Sequence, residues 1–348
     1  MEGSKKKIIL TLDYELFFSK SGTAEKSILY PTSRLLETLA ECDACATFFV
    51  DTTYLVKLRQ SDDQYDHIVL DQIIQQLQEV LIHGNRIELH LHPHWIDAVK
   101  DGLFWTFPNY NHYKLNTLEK NVVNKLFDDG CEILNQLARE VVPNYKIEAF
   151  RAGGWCVEPI SLFKESLVKN SIRVDSSVCP RLYLSGEVHK IDYRSVQTQD
   201  IYTFSDDVRI NSENGEFVEV PVNGYYLSPI ERFIWVLKSR IHKKESSIWG
   251  DGSGIMSVKQ HGKLIKLLNI LSGKKYFNQF SIDGYVDRNI LYRKINESNL
   301  QYVTLIAHPK TLSKSSLETV RFLKQKGLDF YTMKEFTDEY CQQYCKIK

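Results

Sequence analysis

Apolar residues fall in two rhythms along the chain. Short runs, apolar throughout or at every second position, alternate with longer stretches where apolar residues recur every three or four positions. These are the signatures of buried strands and amphipathic helices. Residues 7–12 (KIILTL) read as a buried strand, 31–42 (PTSRLLETLAEC) as a helix with a proline near its start, and 46–51 (ATFFVD) as the next strand. A helical pattern over 68–81 stops at His83-Gly84-Asn85, and a strand ending in IELHLHPHW (87–95) follows. After an aromatic loop (102–116), a long helix covers 117–142, a strand 146–155 (KIEAFRAGGW), a helix 158–170 and a short strand 172–177 (IRVDSS). This βαβ alternation predicts a parallel sheet covered by helices.

From about 178 to 300 the rhythm breaks. Residues 200–224 read as a strand pair turning at Glu213-Asn214-Gly215, then 229–241 (PIERFIWVLKSRI) as an amphipathic helix, and helical patterning returns over 259–271. The chain closes with a buried strand, YVTLIAHP (302–309), a helix (315–327), a strand (329–333) and a helix (334–345). No repeat, low-complexity tract or clear linker divides it. The expectation is one domain over 1–348, elaborated at about 179–300.

Composition narrows the functional classes. Lysine plus arginine and aspartate plus glutamate stand at 44 each, so no global field draws in nucleic acid or an anionic membrane, and a partner must be recognised locally. Only about six mostly apolar residues precede Asp13, too few for a signal sequence, and no apolar run approaches the roughly 20 residues of a membrane span. Seven cysteines without framework spacing suit a reducing cytosol, so the expected location is cytoplasmic. Cys42 and Cys45 form a CxxC, read as two buried thiols rather than a zinc or redox pair. Cys341 and Cys345, four apart on the last helix, are expected to share a face.

The chemistry gathers where strands end. Asp13 and Glu15 end the first strand; His90, His92 and His94 end a later one; Arg151, Asp175 and His308 end three more. In a parallel α/β barrel these ends converge on one mouth. Each residue alone has a structural explanation, such as a turn, a cap or a surface ion pair, but capping does not explain the joint pattern. Two imidazoles and one carboxylate make an open site for a catalytic divalent ion. Strand alternation puts the three histidines on one face, although Pro93 and the approaching strand end leave the placement of His94 open. Imidazole suits zinc, cobalt or nickel, and a carboxylate admits iron.

Asp13-Tyr14-Glu15, ATFFV, His90 to His94, FRAGGW, VDSS and LIAH occur in an order that resembles the NodB-type polysaccharide deacetylases, carbohydrate esterase family 4. The resemblance implies a distorted (β/α)7-type barrel and a hydrolase that removes N- or O-linked acetyl groups from a sugar or polysaccharide precursor. It implies one divalent metal, zinc foremost, held by Glu15, His90 and His94, with His92 lying between the ligands. Asp13 would be the base and His308 the acid, with Arg151 orienting Asp13 and Asp175 tuning His308. Two departures stand out: Asp-Tyr-Glu replaces the usual Asp-Asp, which leaves open that Asp13 itself binds the metal, and Arg-Ala-Gly-Gly-Trp replaces the usual Arg-Pro-Pro-Tyr-Gly type. Two other readings compete. His90-x-His92 could be the paired-histidine entry of an amidohydrolase acting on a small amide, or the barrel could bind a glycan without turnover. Oligomeric state is not legible.

Overall fold

The computed structural model describes residues 6–186, 188–254 and 275–344. The helical pattern expected over 259–271 and the shared face of Cys341 and Cys345 lie outside the described residues. The nine-stranded main sheet comprises β1 (Lys7–Tyr14), β2 (Thr47–Asp51), β3 (Arg86–Leu91), β4 (Ala149–Ala152), β5 (Val174–Asp175), β6 (Tyr202–Phe204), β7 (Phe217–Glu219), β10 (Tyr302–Ala307) and β11 (Asp329–Tyr331). A separate two-stranded antiparallel sheet pairs β8 (Gly224–Leu227) with β9 (Tyr276–Gln279). The sheet order is β6-β7-β5-β4-β3-β2-β1-β10, with β11 also beside β1. Every pair is parallel except β6 with β7, which turns at Asn214-Gly215.

β1 is the centre of the architecture. It pairs along its length with β10, while its other edge meets β11 through Ile9 and β2 from Thr11 onward. Both of its faces are buried, which is why it carries no polar–apolar alternation before Thr11. The sheet curls, and residues 280–282 bridge its seam. The Phe280 N–H donates to the Asn223 carbonyl, the Ile306 N–H to the Phe280 carbonyl, and the Ile282 N–H to the Ile306 carbonyl. The Asn223 side chain also accepts from the Thr304 N–H at 2.8 Å. The result is a barrel closed by irregular chain rather than by a continuous ladder, hence distorted.

The α-helices among the described residues are α1 (Tyr30–Glu41), α2 (Thr52–Arg59), α3 (Gln64–Ile82), α4 (Lys120–Arg139), α5 (Lys164–Lys169), α6 (Pro229–Ile241), α7 (Arg288–Glu297), α8 (Lys314–Gln325) and α9 (Met333–Tyr344). The larger apolar core, with Leu10, Leu12, Phe48, Val50 and Phe150, packs the outer face of the sheet against helices. A smaller cluster of Ile9, Phe49, Ala149, Val174, Val218 and Val220 fills the barrel interior. The interior is thus apolar at one end and polar at the strand C-termini, where Thr11, Asp13, Asp51, His90, Arg151 and Ser176 are buried. Among the described residues no helix is long and apolar enough to cross a membrane. The cysteines at 42, 45, 131, 156 and 179 are free thiols, and burial pushes Cys45 up to about 12.

Candidate metal centre

Strand register sets which residues can meet. Asp51, His90 and Arg151 are successive cross-strand partners on β2, β3 and β4, so their side chains share the interior face. At the end of β1, Asp13 and, one residue past the strand, Glu15 lie two apart, and both carboxylates face His308. Arg151 is the hub. Its Nη1 donates to Asp13 Oδ1 at 2.6 Å, its Nη2 to Thr11 Oγ1 and Ser176 Oγ, and its Nε to the Ser176 carbonyl. The guanidinium lies 4.2 Å from the Phe49 ring centroid, sealing the apolar floor from the polar mouth.

Glu15 divides its carboxylate between two neighbourhoods. Oε2 faces His90 Nε2 at 3.0 Å and His92 Nε2 at 2.6 Å; Oε1 accepts from Lys310 Nζ at 2.6 Å. His90 Nδ1 lies 2.6 Å from the Arg151 carbonyl, which fixes the proton on Nδ1 and turns the Nε2 lone pair to the centre. Burial alone would raise the Glu15 carboxyl, but Lys310 and the histidines hold it well below the usual carboxylate range. Burial likewise opposes charge on His90, yet Asp13 and Glu15 prevail and move it upward, whereas burial takes His92 down to about 4.

Ligand atoms of Glu15, His90 and His92 lie within 4.8 Å of one another, as do those of Asp13, Glu15 and His308. His94, expected beside His90, is outside both groups. β3 ends at Leu91 and Pro93 opens a 3-10 turn, so strand alternation carries to His92 and stops. His94 instead packs among Phe18, Phe107 and Tyr113, with burial depressing its pKa well below the ordinary value. Both nitrogens of His92 and of His94 are buried without a well-aligned hydrogen bond, the 2.6 Å approach of His92 to Glu15 included. Two nitrogen donors, one carboxylate and orphaned imidazole nitrogens fit a divalent cation.

Asp175 requires a correction. It pairs in register with Phe150 and Glu219, and the interior residue of β5 is its neighbour Val174. Asp175 therefore faces the outer layer, where it accepts from the Ser177 hydroxyl at 2.7 Å, and does not reach His308. The residue of that segment that reaches the centre is Ser176. The carboxylate on His308 is Asp283: its Oδ2 lies 2.9 Å from Nδ1, and its Oδ1 accepts from the His308 N–H at 2.9 Å and the Thr311 hydroxyl at 2.6 Å. His308 Nε2 then points inward, 3.6 Å from Asp13 Oδ2. Burial works against charge on His308, but Asp283, then Asp13 and Glu15, leave its pKa raised.

Sequence reasoning missed three residues. Asp283 lies in the segment that breaks the β/α rhythm, and its only local signal is Asp-Gly after an apolar run. Lys310, buried beside Glu15, follows His308-Pro309. Asp51 ends a strand as the other site residues do, a signal that was available; it accepts from Trp95 Nε1 at 2.6 Å, and burial lifts it to about 7. The unusual Ala-Gly-Gly-Trp also gains a reason. A Cβ on Gly153 would lie 2.6 Å from His92 Nδ1 and from the Leu91 carbonyl, and Gly154 takes φ +59°.

The chain covers 99% of itself and 93% of a Mycobacterium smegmatis protein described as a polysaccharide deacetylase, at 13% identity and a TM-score of 0.50. The fold is that of the NodB-type polysaccharide deacetylases. The peptidoglycan deacetylase PdaC of Bacillus subtilis also aligns, at 11% identity over 99% of this chain and 96% of that one, with a TM-score of 0.43. No sequence-family profile and no curated protein matches. On that fold, Asp13-Tyr14-Glu15 stands at the C-terminal end of the central strand, with Glu15 just past it.

Proposed function

We propose that the protein is a metal-dependent hydrolase that removes an acetyl group from a sugar or a polysaccharide precursor. One observation carries the reading: a carboxylate fixed by a buried arginine, Asp13–Arg151, and an imidazole fixed by a carboxylate, His308–Asp283, flank the Glu15–His90–His92 group. A divalent ion, zinc foremost, would be held by Glu15 Oε2, His90 and His92, and would supply Lewis acidity toward the acetyl carbonyl and the attacking water.

Asp13 is the general base. Its Oδ1 is held by Arg151, which leaves Oδ2 to take the proton of the attacking water. His308 is the general acid. Asp283 on Nδ1 keeps the ring in one orientation and favours its protonated form, so Nε2 delivers a proton to the departing sugar nitrogen or oxygen. One water is consumed, and acetate and a free amine or hydroxyl leave. Arg151 and Asp283 are positioning residues here, and Asp175 has no part. In the mouth, the Phe18 ring lies 4.2 Å from His92 and 4.6 Å from His94, forming an apolar wall against the imidazoles.

A cytoplasmic enzyme of this kind would meet nucleotide- or lipid-linked precursors rather than finished wall. The test is divalent-metal titration of chelator-treated protein beside acetate release. His90→Ala and His92→Ala should each abolish tight binding, and His94→Ala should retain one ion with at most a severalfold loss. Binding that survives in His92→Ala but is lost in His94→Ala would restore the His-x-x-x-His pair. Binding without acetate release from any acetylated amino sugar would favour a glycan-binding role.

A further inference from the structure

A surface helix normally turns its apolar stripe toward the core. α6 does not: none of its 13 residues is buried. Ile230, Phe233, Ile234, Leu237 and Ile241 are 38–73% exposed, and their spacing of three, one, three and four sets them on a single stripe. The helix is nevertheless firmly built. Ser228 and Glu231 form a reciprocal capping box, Lys238 Nζ lies 2.7 Å from Asp287, and Glu231 also pairs with Arg293 and Lys294. Trp235 meets Tyr285 edge-on at 5.9 Å. Among the described residues, polar contacts and one aromatic pair hold it in place, and the apolar stripe faces out.

The charge around it is one-sided. Residues 229–248 hold five cations (Arg232, Lys238, Arg240, Lys243, Lys244) against Glu231 and Glu245, in a chain whose total charges balance at 44 each. On the helical wheel Arg240 borders the apolar stripe, Lys238 on its other side is taken up by Asp287, and Lys243 and Lys244 follow the stripe, exposed. An exposed apolar stripe edged by cations matches the interface of an anionic bilayer: apolar side chains enter the headgroup boundary and the cations meet phosphates.

We propose that α6 docks the protein onto an anionic lipid surface. The neutral whole molecule makes this attachment local. It is also close to the chemistry, because Asp287 and Tyr285, which grip α6, lie within four residues of Asp283, the partner of His308. The attachment thus lies beside the segment that carries Asp283, a placement suited to a lipid-linked glycan substrate. That last link rests on the deacetylase reading; the docking does not.

The experiment is co-sedimentation of the full chain with phosphatidylcholine vesicles, with and without phosphatidylglycerol. The expected result is binding that needs phosphatidylglycerol and weakens with salt. It should fall about tenfold or more in Phe233→Asp/Leu237→Asp and in Arg240→Glu/Lys243→Glu/Lys244→Glu. Both variants should keep the wild-type circular dichroism and melting curve. Wild-type protein that ignores phosphatidylglycerol, or an apolar variant that sediments as wild type does, overturns the proposal. So does a wild-type dimer in light scattering that the apolar variant dissociates without any vesicle binding, since the stripe is then a self-interface. Vesicle binding is read without substrate, so a failure of acetate release leaves this test intact.

Discussion

Asp283→Asn isolates the residue that the fold supplies to His308. The carboxylate accepts four hydrogen bonds, from His308 Nδ1, the His308 N–H, the Thr311 hydroxyl and the Ser281 hydroxyl. Asparagine can keep the shape but not the charge. A hydrogen bond to a charged group contributes about 1.5–3 kcal/mol. The two side chains keep 22% and 26% of their surface in water, so the lower end, about 1.5 kcal/mol, is the appropriate figure. Loss of that interaction moves the His308 pKa downward, toward its ordinary value. Asp13 and Glu15 still face the ring, Glu15 paired to Lys310, so the shift is partial. Because His308 is raised in the folded protein, its contribution to stability is full below its unfolded value of about 6.5 and is lost as pH rises through the folded pKa. Asp283 is depressed, so its share is lost only in acid, as pH falls through its folded pKa. The variant should therefore lose stability mainly in the mildly acidic to neutral range. Its alkaline limb of deacetylation should move to lower pH. Nitrogen-15 NMR titration of the His308 ring gives the pKa directly. An unchanged ring pKa in the variant would refute the assignment of Asp283.

Other outcomes follow from the same geometry. Arg151→Met strands Asp13 in a buried site and should cost about 3–5 kcal/mol in urea unfolding, with Arg151→Lys recovering only part of it. Asp175→Asn, on the outer face, should leave acetate release within about twofold of wild type while Asp283→Asn does not. Gly153→Ala drives a methyl group against His92 and should weaken divalent-metal binding by about 10–100-fold in calorimetry, with the fold retained.

The strands and helices were legible because burial on a parallel sheet and on a helix face leave different periods in the sequence. Boundaries were less so: the expected strand over 146–155 pairs only at Ala149–Ala152, since Gly153, Gly154 and Trp155 turn the backbone away, the last two at positive φ. Within the site, residues on strands of unambiguous parity were readable, and Asp13, Glu15, His90 and Arg151 come together as expected. Asp175 failed by a single position: on a two-residue strand the sequence pattern does not say which neighbour points inward, and register with Phe150 decides it. The resemblance's His-x-x-x-His spacing pairs His94 with His90, whereas β3 ends at Leu91, Pro93 opens a turn, and it is His92 whose ligand atom groups with those of Glu15 and His90. Asp283 and Lys310 were invisible for another reason. The first lies on the irregular seam that closes the barrel, and the second reaches the centre through a contact 295 residues away in sequence.

The most direct test of the whole account is acetate release from acetylated amino-sugar oligomers by chelator-treated protein, measured as a divalent ion is added back. The account predicts no release without the ion and release that saturates at about one equivalent per chain, with Asp13→Asn inert at every point. Release that is indifferent to the ion, or that persists in Asp13→Asn, would contradict it.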